Sequence, residues 1–479
     1  MVKAVVGEET QLKLAEDHLA NSSIPAQVGL VIGKLSSSLD RGFVFDFVPT
    51  PLNDAGEPAC SLIEPTKDDK KKGPKSKSQT DSSSLVIDKD WVAEHARQVS
   101  RMLLGGMKVI GIYVWVSDTA FKNSTMVLCQ TIKGVAEAAP LSQIDGDERI
   151  LIHICYSPRR WTCRNCSLAS NITSSSLRPC DFKMGRVLTS LQTFRCMYNF
   201  DLRLPAYKRT SNVQTLIDVL HHGISVHAKQ LEDAKAIIDG NLVLNDEPCI
   251  SDGLHEVELF LPFVKDTSFE ACSQKEVIGV VRFSGSVCSF AYLNSKEPMS
   301  QAVTDIKEDI ILSLQSRLDI ICDEADGEVP TDAESRESSD GMSAETPVHL
   351  LRKICNISFP RRVFVPWLAG TFVCDYLQSS ETLEVLKDHF VELLSMEDMF
   401  DPSEILEPEL QAPVVITKSF WDAAVPLELA SNSSEEKNAH ETSSRVKTVG
   451  SANINIVAAV IFLLLSILVG YVLIFVRKS

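Results

Sequence analysis

The apolar and polar positions near the start of the chain are arranged as in a β-sheet. Residues 26–50 contain two apolar segments, AQVGLVIGKL and FVFDFVP, separated by the polar turn SSSLDRG. This arrangement predicts a β-hairpin that ends at Pro49. A further strand is predicted at residues 108–116, because KVIGIYVWV is β-branched and nearly uncharged, as in strands buried on both faces.

An amphipathic helix is predicted between the hairpin and this strand. Trp91, His95, Val99 and Met102 recur mostly at helical intervals, and the Gly105-Gly106 pair ends the pattern. We predict that these four side chains form a partner surface. Packing of the same helix against its sheet is an equally weighted alternative.

The rest of the chain alternates between short apolar strands and helices. The predicted elements are strands at 149–155, 257–261, 277–283, 361–366 and 371–376, and helices near 213–235, 299–323 and 383–394. We therefore predict an α/β (α+β) fold in which a mixed sheet with flanking helices is followed by a further α/β region.

Shifts in composition divide the chain into predicted domains and linkers. Several stretches are polar and too poor in apolar residues to fold alone. The predicted segments are a first domain at 1–160 with a disordered insert at 53–84, a second α/β region at 161–322, an acidic linker at 323–347, a C-terminal α/β segment at 348–425 that completes the cytosolic body, and a flexible tether at 426–453.

A charge-free apolar run near the C-terminus predicts a single transmembrane helix at 454–476. The run IVAAVIFLLLSILVGYVLIFV has about 21 residues, which as a helix is long enough to cross the hydrocarbon core. Its representative positions are Ile456, Phe462, Leu465, Gly470 and Val476. Only three residues follow the run and the N-terminus lacks a signal sequence, so we expect a tail anchor with the bulk of the chain in the cytosol.

Net charge and cysteine content limit the kinds of partner and metal site that are expected. The formal net charge of −17 repels phosphate backbones, so nucleic acid is excluded as an expected partner. The 13 cysteines are scattered and odd in number, which indicates reduced thiols. Four of them leave a structural zinc site open as a minor alternative, namely Cys163, Cys166, Cys180 and Cys196.

The first predicted sheet resembles the MPN fold of JAMM metallopeptidases. Catalytic members carry a Glu before the first-strand Gly, here at about Ala26, and a His-x-His-Pro where this chain has Val114-Trp115-Val116-Ser117. Alanine and valine side chains offer no lone pairs to zinc. The resemblance therefore implies an inactive, MPN-like domain, and an unrelated α/β sheet is the alternative.

Two segments resemble the odorant-response-abnormal-four (Odr-four) membrane proteins. The first is WVAEHARQVSRML at 91–103, which continues through the Gly105-Gly106 pair into VIG at 109–111. The second combines RRVFVP at 361–366 with CDY at 374–376. Together with the first hairpin and the C-terminal apolar run, they occur in the family's order over nearly the whole chain.

This resemblance implies a tail-anchored protein of the endoplasmic reticulum membrane. It implies three partners: the lipid bilayer, certain G-protein-coupled receptors whose localisation it assists, and the protease of the ubiquitin-fold modifier, which it recruits to the reticulum. It offers no catalytic, metal or cofactor residues to carry over. We interpret the chain as a non-enzymatic trafficking adaptor, with a membrane-anchored JAMM-type metallopeptidase as the disfavoured alternative.

Overall fold

The protein combines a closed β-barrel with a second mixed sheet, which confirms the predicted mixed α/β class. The computed structural model of the chain describes residues 2–36, 39–63, 83–141, 148–168, 176–207, 215–243, 253–262, 277–327, 356–396, 401–409 and 412–419. These residues fall within one structural unit, Met1–Ala423.

The N-terminal strands form the barrel. They are β1 (Ala4–Glu8), β2 (Gln27–Ser36), β3 (Arg41–Pro49), β4 (Cys60–Ile63), β5 (Ser84–Ile87), β6 (Lys108–Trp115), β7 (Glu148–Tyr156), β8 (Arg159–Ser167) and β9 (Leu177–Gly185). Seven of them close in the order β1-β3-β2-β6-β7-β8-β9, while β4 pairs only with β5. The predicted hairpin is confirmed as β2 and β3, and parallel pairing of β1 with β9 closes the barrel.

Both faces of barrel strands β2, β3, β6 and β7 are buried. Four helices pack in this region: α1 (Glu9–Asn21), α2 (Lys89–Met102), α3 (Asp118–Asn123) and α4 (Thr125–Ala138). One apolar cluster joins Val31 and Ile110 to α1, and another joins Leu30 and Ile112 to α2 and α4. This two-sided burial explains why the strand sequences are almost continuously apolar.

The C-terminal strands form the second sheet and a separate hairpin, with helices between them. The elements are β10 (Leu191–Tyr207), α5 (Leu216–Glu232), β11 (Lys235–Ile238), β12 (Asn241–Leu242), β13 (Leu254–Phe260), β14 (Val277–Asn294), α6 (Met299–Gly327), β15 (Asn356–Ser358), β16 (Arg361–Pro366), β17 (Phe372–Leu377), α7 (Leu383–Leu394) and β18 (Val414–Ser419). The sheet order is β12-β11-β13-β10-β14-β18-β15, and β16 with β17 forms a separate hairpin. A capping box between Thr215 and Asp218 fixes the start of α5.

The sheets do not follow the predicted segment limits. The barrel continues to Gly185, beyond residue 160, and the C-terminal strand β18 lies beside β14 in the second sheet. Within the predicted insert at 53–84, β4 pairs with β5 because Cys60 and Leu85 are buried apolar residues. Most of the insert lies outside the described residues.

Within the described ranges, no helix combines the length and apolar character needed to cross a bilayer. The predicted transmembrane helix at 454–476 and the predicted tether at 426–453 lie outside those ranges.

Candidate functional site

The structure places the predicted partner helix α2 in the interior. His95, Val99 and Met102 are buried, and α2 packs against β6 and α4 on one side and against β17 and α7 on the other. His95 Nε2 donates to the Leu393 carbonyl oxygen at 2.9 Å. Burial lowers the pKa of His95 to about 4, so the ring is neutral. Trp91 is half-buried and donates to the Pro51 carbonyl oxygen at 3.0 Å.

His95, Val99 and Met102 are therefore packing residues whose side chains are not available to a partner, whereas Trp91 keeps part of its ring at the surface. The amphipathic pattern reflects contact with the core, which is the packing alternative. A helix that is covered on two sides still shows one dominant apolar stripe when its remaining polar side chains form hydrogen bonds with each other. Here Glu94 accepts hydrogen bonds from Arg97 and Gln98 on the same helix.

Replacing Val99 with alanine is expected to lower the free energy of unfolding by about 1–3 kcal/mol, because a cavity opens in a fully buried contact. Denaturant unfolding of the purified chain measures the change. Leu14→Ala on α1 is the matched control: Leu14 is 59% exposed, and its truncation is expected to cost less than about 0.5 kcal/mol. Equal midpoints for both variants would contradict the packing of α2.

The RRVFVP and CDY segments form the hairpin of β16 and β17, and they bury an arginine. Arg362 is fully buried and binds Asp309 of α6 through two parallel hydrogen bonds of 2.8 Å each. It also donates to the Cys288 carbonyl oxygen at 3.2 Å and to Cys374 Sγ at 3.1 Å. Burial alone would lower the pKa of Arg362, but the Asp309 carboxylate outweighs burial and raises it well above its usual value.

A second buried ion pair adjoins the first. Arg317 Nη2 lies 2.7 Å from both carboxylate oxygens of Glu409, and neither side chain is exposed. Glu409 also accepts from the backbone N–H groups of Arg362 and Cys288. The Tyr376 ring lies beside both arginines, with guanidinium carbons 5.4 and 5.8 Å from its centroid. The two pairs bind the hairpin, α6 and β14 into one unit.

The Gly105-Gly106 pair marks the place where the barrel meets the second sheet. Gly105 forms an isolated parallel bridge with Ala291, and a side chain at Gly105 would meet the Phe290 carbonyl oxygen at 2.1 Å. Gly106 has φ of +87° and lies against the Asp305 carboxylate. That carboxylate binds the buried Lys34 of β2 at 2.7 Å. Glycine is therefore required at both positions.

Lys34 makes the charged link between the two parts. Its ammonium also lies 3.5 Å from Glu297, and all three side chains are nearly inaccessible to solvent. Burial would lower the pKa of Lys34, yet the carboxylates of Asp305 and Glu297 raise it. Lys34 is therefore charged, and its removal would leave two carboxylates without their cation.

A cleft of about 800 Å³ opens beside this junction. Leu103, Leu231 and Ile311 supply apolar walls, while Lys108 and Glu308 form an ion pair of 3.0 Å among the lining residues. Apolar walls with a few charged groups are typical of clefts that bind small molecules or peptide segments. No local motif predicts this cleft, because residues 103–109 and helices α5 and α6 come together only in the fold.

The four cysteines of the zinc alternative do not converge. Cys163 and Cys166 are three residues apart on β8 and therefore face opposite sides of the barrel wall. Cys163 lies opposite Cys180, whereas the Cys166 thiol interacts with Cys129. Cys196 belongs to the core of the second sheet, where burial raises its pKa to about 12.

The positions that hold metal in catalytic JAMM proteins are apolar in the structure. Gln27 pairs with Trp115, which brings the adjacent Ala26 and Val116 to the same end of the barrel. Ala26, Val114 and Val116 are all buried. These side chains provide no ligand atoms for a metal ion.

The buried polar and charged residues of α6 were not predicted from the sequence. Asp305, Asp309, Ser313 and Arg317 recur every four residues along α6, which places them in one row on the helix. All four are buried. The signal that could have revealed them is a row of polar residues at four-residue intervals on a helix that also has an apolar face.

The fold and its interior define a mixed α/β protein in which a barrel and a sheet are joined through buried ion pairs. A family model described as ODR4-like, Odorant response abnormal 4-like, matches residues 29–404. The chain belongs to this family. Among its relatives, Protein odr-4 homolog of Mus musculus is 27% identical over 460 residues, covering 91% of each chain. The Homo sapiens homolog is 26% identical over 85% of this chain and 86% of its own length.

The likeness extends to more distant organisms. Protein odr-4 homolog of Dictyostelium discoideum is 24% identical over 79% of this chain and 75% of its own length. Among solved structures, the crystal structure of UfSP from C. elegans aligns with a TM-score of 0.38 and 7% identity, over 82% of this chain and 56% of that chain. That score is too low to support an argument about fold. Membership of the ODR4-like family is consistent with a trafficking-related adaptor.

Proposed function

We propose that this protein is a non-enzymatic, membrane-anchored adaptor in protein trafficking. The observation that carries the proposal is the family match over residues 29–404, together with a mouse relative aligned over 91% of its length. In this proposal the protein resides in the endoplasmic reticulum membrane and assists the localisation of a subset of G-protein-coupled receptors. It also recruits the ubiquitin-fold-modifier protease to that membrane, and its barrel is an inactive, MPN-like domain.

Tethering is the proposed mechanism. A helix at 454–476 would hold the body at the bilayer, and the polar stretch at 426–453 would give it reach. Confinement raises the effective concentration of any partner that the body binds, without new contacts. Two buried ion pairs support this role, because Lys34 joins barrel strand β2 to α6 and Arg362 joins the β16–β17 hairpin to the same helix, which gives one body that can present a fixed surface.

The anchor can be tested without altering the body. Replacing Leu464 and Leu465 with arginine is expected to abolish membrane association, because two charges at the centre of the run oppose insertion. The measurements are carbonate-resistant sedimentation with membranes and the amount of the protease in the reticulum fraction, and both are expected to fall together.

The matched control replaces Ser466 and Gly470 with leucine, which keeps the run apolar and is expected to keep both signals. If the arginine variant stays in carbonate-washed membranes, the result contradicts the proposed membrane anchor. If the variant leaves the membrane while the protease remains there, the result contradicts the proposed recruitment of the protease but supports the anchor.

A further inference from the structure

Three side chains with metal-binding atoms meet at one end of the barrel, apart from the residues described above. They are Asp118 at the start of α3 and His153 and Cys155 on β7, and their ligand atoms all lie within 4.8 Å of one another. β6 ends at Trp115, just before Asp118, and runs parallel to β7, so the two strands end on the same side. His153 and Cys155 are two residues apart and therefore share a face of β7.

The hydrogen bonds of His153 fix which ring nitrogen is free for a cation. Nε2 lies 3.0 Å from the Val116 carbonyl oxygen, which can only accept, so Nε2 carries the proton. Nδ1 then presents its lone pair, and it faces Asp118 Oδ1 at 3.9 Å. Two acceptors therefore point at each other. The Thr162 hydroxyl is a competing donor to Nδ1, at a long 3.4 Å.

The surroundings keep the imidazole in its metal-binding form and orientation. Burial lowers the pKa of His153, so the ring is neutral near pH 7. The Phe121 ring stacks on it at 4.1 Å between centroids. A backbone carbonyl that holds one ring nitrogen while the other faces a metal is the usual outer partner of a metal-ligating histidine.

The other two groups leave room for an ion and a path to it. Asp118 Oδ2 accepts from Arg160 at 2.5 Å, which leaves Oδ1 directed at the imidazole. The Asp118 side chain is 29% exposed, so an ion can enter from solvent. Cys155 is buried, and its thiol donates to the Ser157 carbonyl oxygen at 3.5 Å.

We propose that Asp118, His153 and Cys155 bind one divalent transition-metal ion of the zinc type, with water as the fourth ligand. One nitrogen, one sulfur and one oxygen form a donor set that suits Zn²⁺ and Co²⁺ and does not suit Ca²⁺ or Mg²⁺, which take oxygen ligands. Binding releases the proton of the Cys155 thiol to solvent. None of the three ligands comes from Ala26, Val114 or Val116, although the Val116 carbonyl oxygen orients His153. The proposal does not depend on the adaptor role.

Cobalt titration of the purified, chelator-treated full chain tests the site. We expect one Co²⁺ per chain, with the absorption of a cobalt–thiolate bond and of tetrahedral cobalt, and displacement by Zn²⁺. Cys155→Ser is expected to abolish the thiolate band, and Asp118→Asn to weaken affinity at least about tenfold. Cys322→Ser, a half-buried thiol on α6, is the matched control and is expected to leave band and affinity unchanged.

A second comparison separates a metal ligand from a structural residue. Asp118→Asn and Arg160→Gln both break the same surface ion pair, which costs little stability, so both variants are expected to fold. Only the first removes a ligand, whereas the second frees the carboxylate and is expected to bind Co²⁺ at least as tightly as the unmodified chain. Zn²⁺ is expected to raise the melting temperature of the unmodified chain and of Arg160→Gln, but not of Asp118→Asn.

Three results would overturn the proposal. One is the absence of a thiolate band in the unmodified chain. Another is a band that survives in Cys155→Ser, which would show adventitious binding by other thiols among the 13 cysteines. The third is a Co²⁺ affinity that is unchanged in Asp118→Asn. This result would contradict the proposal even if Cys155→Ser fails to fold.

Discussion

Replacing Arg362 with methionine is expected to lower the free energy of unfolding by about 3–5 kcal/mol. Methionine keeps the length and apolar stem of the side chain but removes the charge that faces Asp309. The carboxylate then stays buried without its cation, which is the costly way to break an interior ion pair. The Cys288 carbonyl oxygen loses a donor as well. Denaturant unfolding followed by intrinsic fluorescence measures the loss.

The adjacent arginine is the matched control for this prediction. Arg361 pairs with Glu407 at 2.5 Å, but the two side chains are 37% and 36% exposed. Water and ions screen such a pair, so Arg361→Met is expected to cost less than about 1 kcal/mol. Similar losses for the two variants would show that Arg362 is not buried against α6.

Replacing Gly111 with alanine is expected to cost about 3 kcal/mol or more. Gly111 lies on β6 opposite Ile150 of the parallel strand β7. A Cβ atom there would lie 1.8 Å from the Ile150 carbonyl oxygen and 2.7 Å from its carbonyl carbon. These are backbone atoms of the barrel wall, so they can retreat only by breaking strand pairing, and such overpacking is destabilising. The melting temperature and denaturation midpoint are both expected to fall.

A glycine-to-alanine substitution in helix α4 is expected to raise the free energy of unfolding instead of lowering it. Gly134 lies in α4, where an added Cβ atom would meet its nearest neighbour, Ala93 Cβ, at an ordinary 3.6 Å. Gly134→Ala is expected to stabilise the protein by about 0.5–1 kcal/mol, because alanine favours helix more than glycine does. A loss at Gly134 as large as that at Gly111 would contradict the local packing of α4.

Local patterns predicted the elements but not their assembly. Hairpin β2–β3, strands β6 and β7, and helix α6 follow directly from apolar periodicity. The barrel could not be predicted, because its closure pairs Ala4 with Asp181 and no local signal specifies so distant a partner. For the same reason the predicted first domain ended at residue 160, before β8 and β9 were complete.

Periodicity also fails to show how many sides of a helix are covered. Helix α2 has the apolar stripe of a helix with one buried face, yet it contacts both barrel elements and α7, where His95 donates to the Leu393 carbonyl oxygen. The RRVFVP segment was predicted as a strand, but its pattern gave no role for Arg362. Its role became clear only when the fold brought Asp309 and Glu409 to Arg362.

Closure of the barrel has a consequence for the proposed membrane-anchored adaptor. A sheet that ends in unpaired strands invites edge-to-edge aggregation, and crowding in two dimensions would increase that hazard. Strands β1 and β9 satisfy each other, so the seven-stranded ring offers no such template. Among the strands that the structure describes, the second sheet ends in β12 and β15, which are only two and three residues long, so its outer edges are short as well.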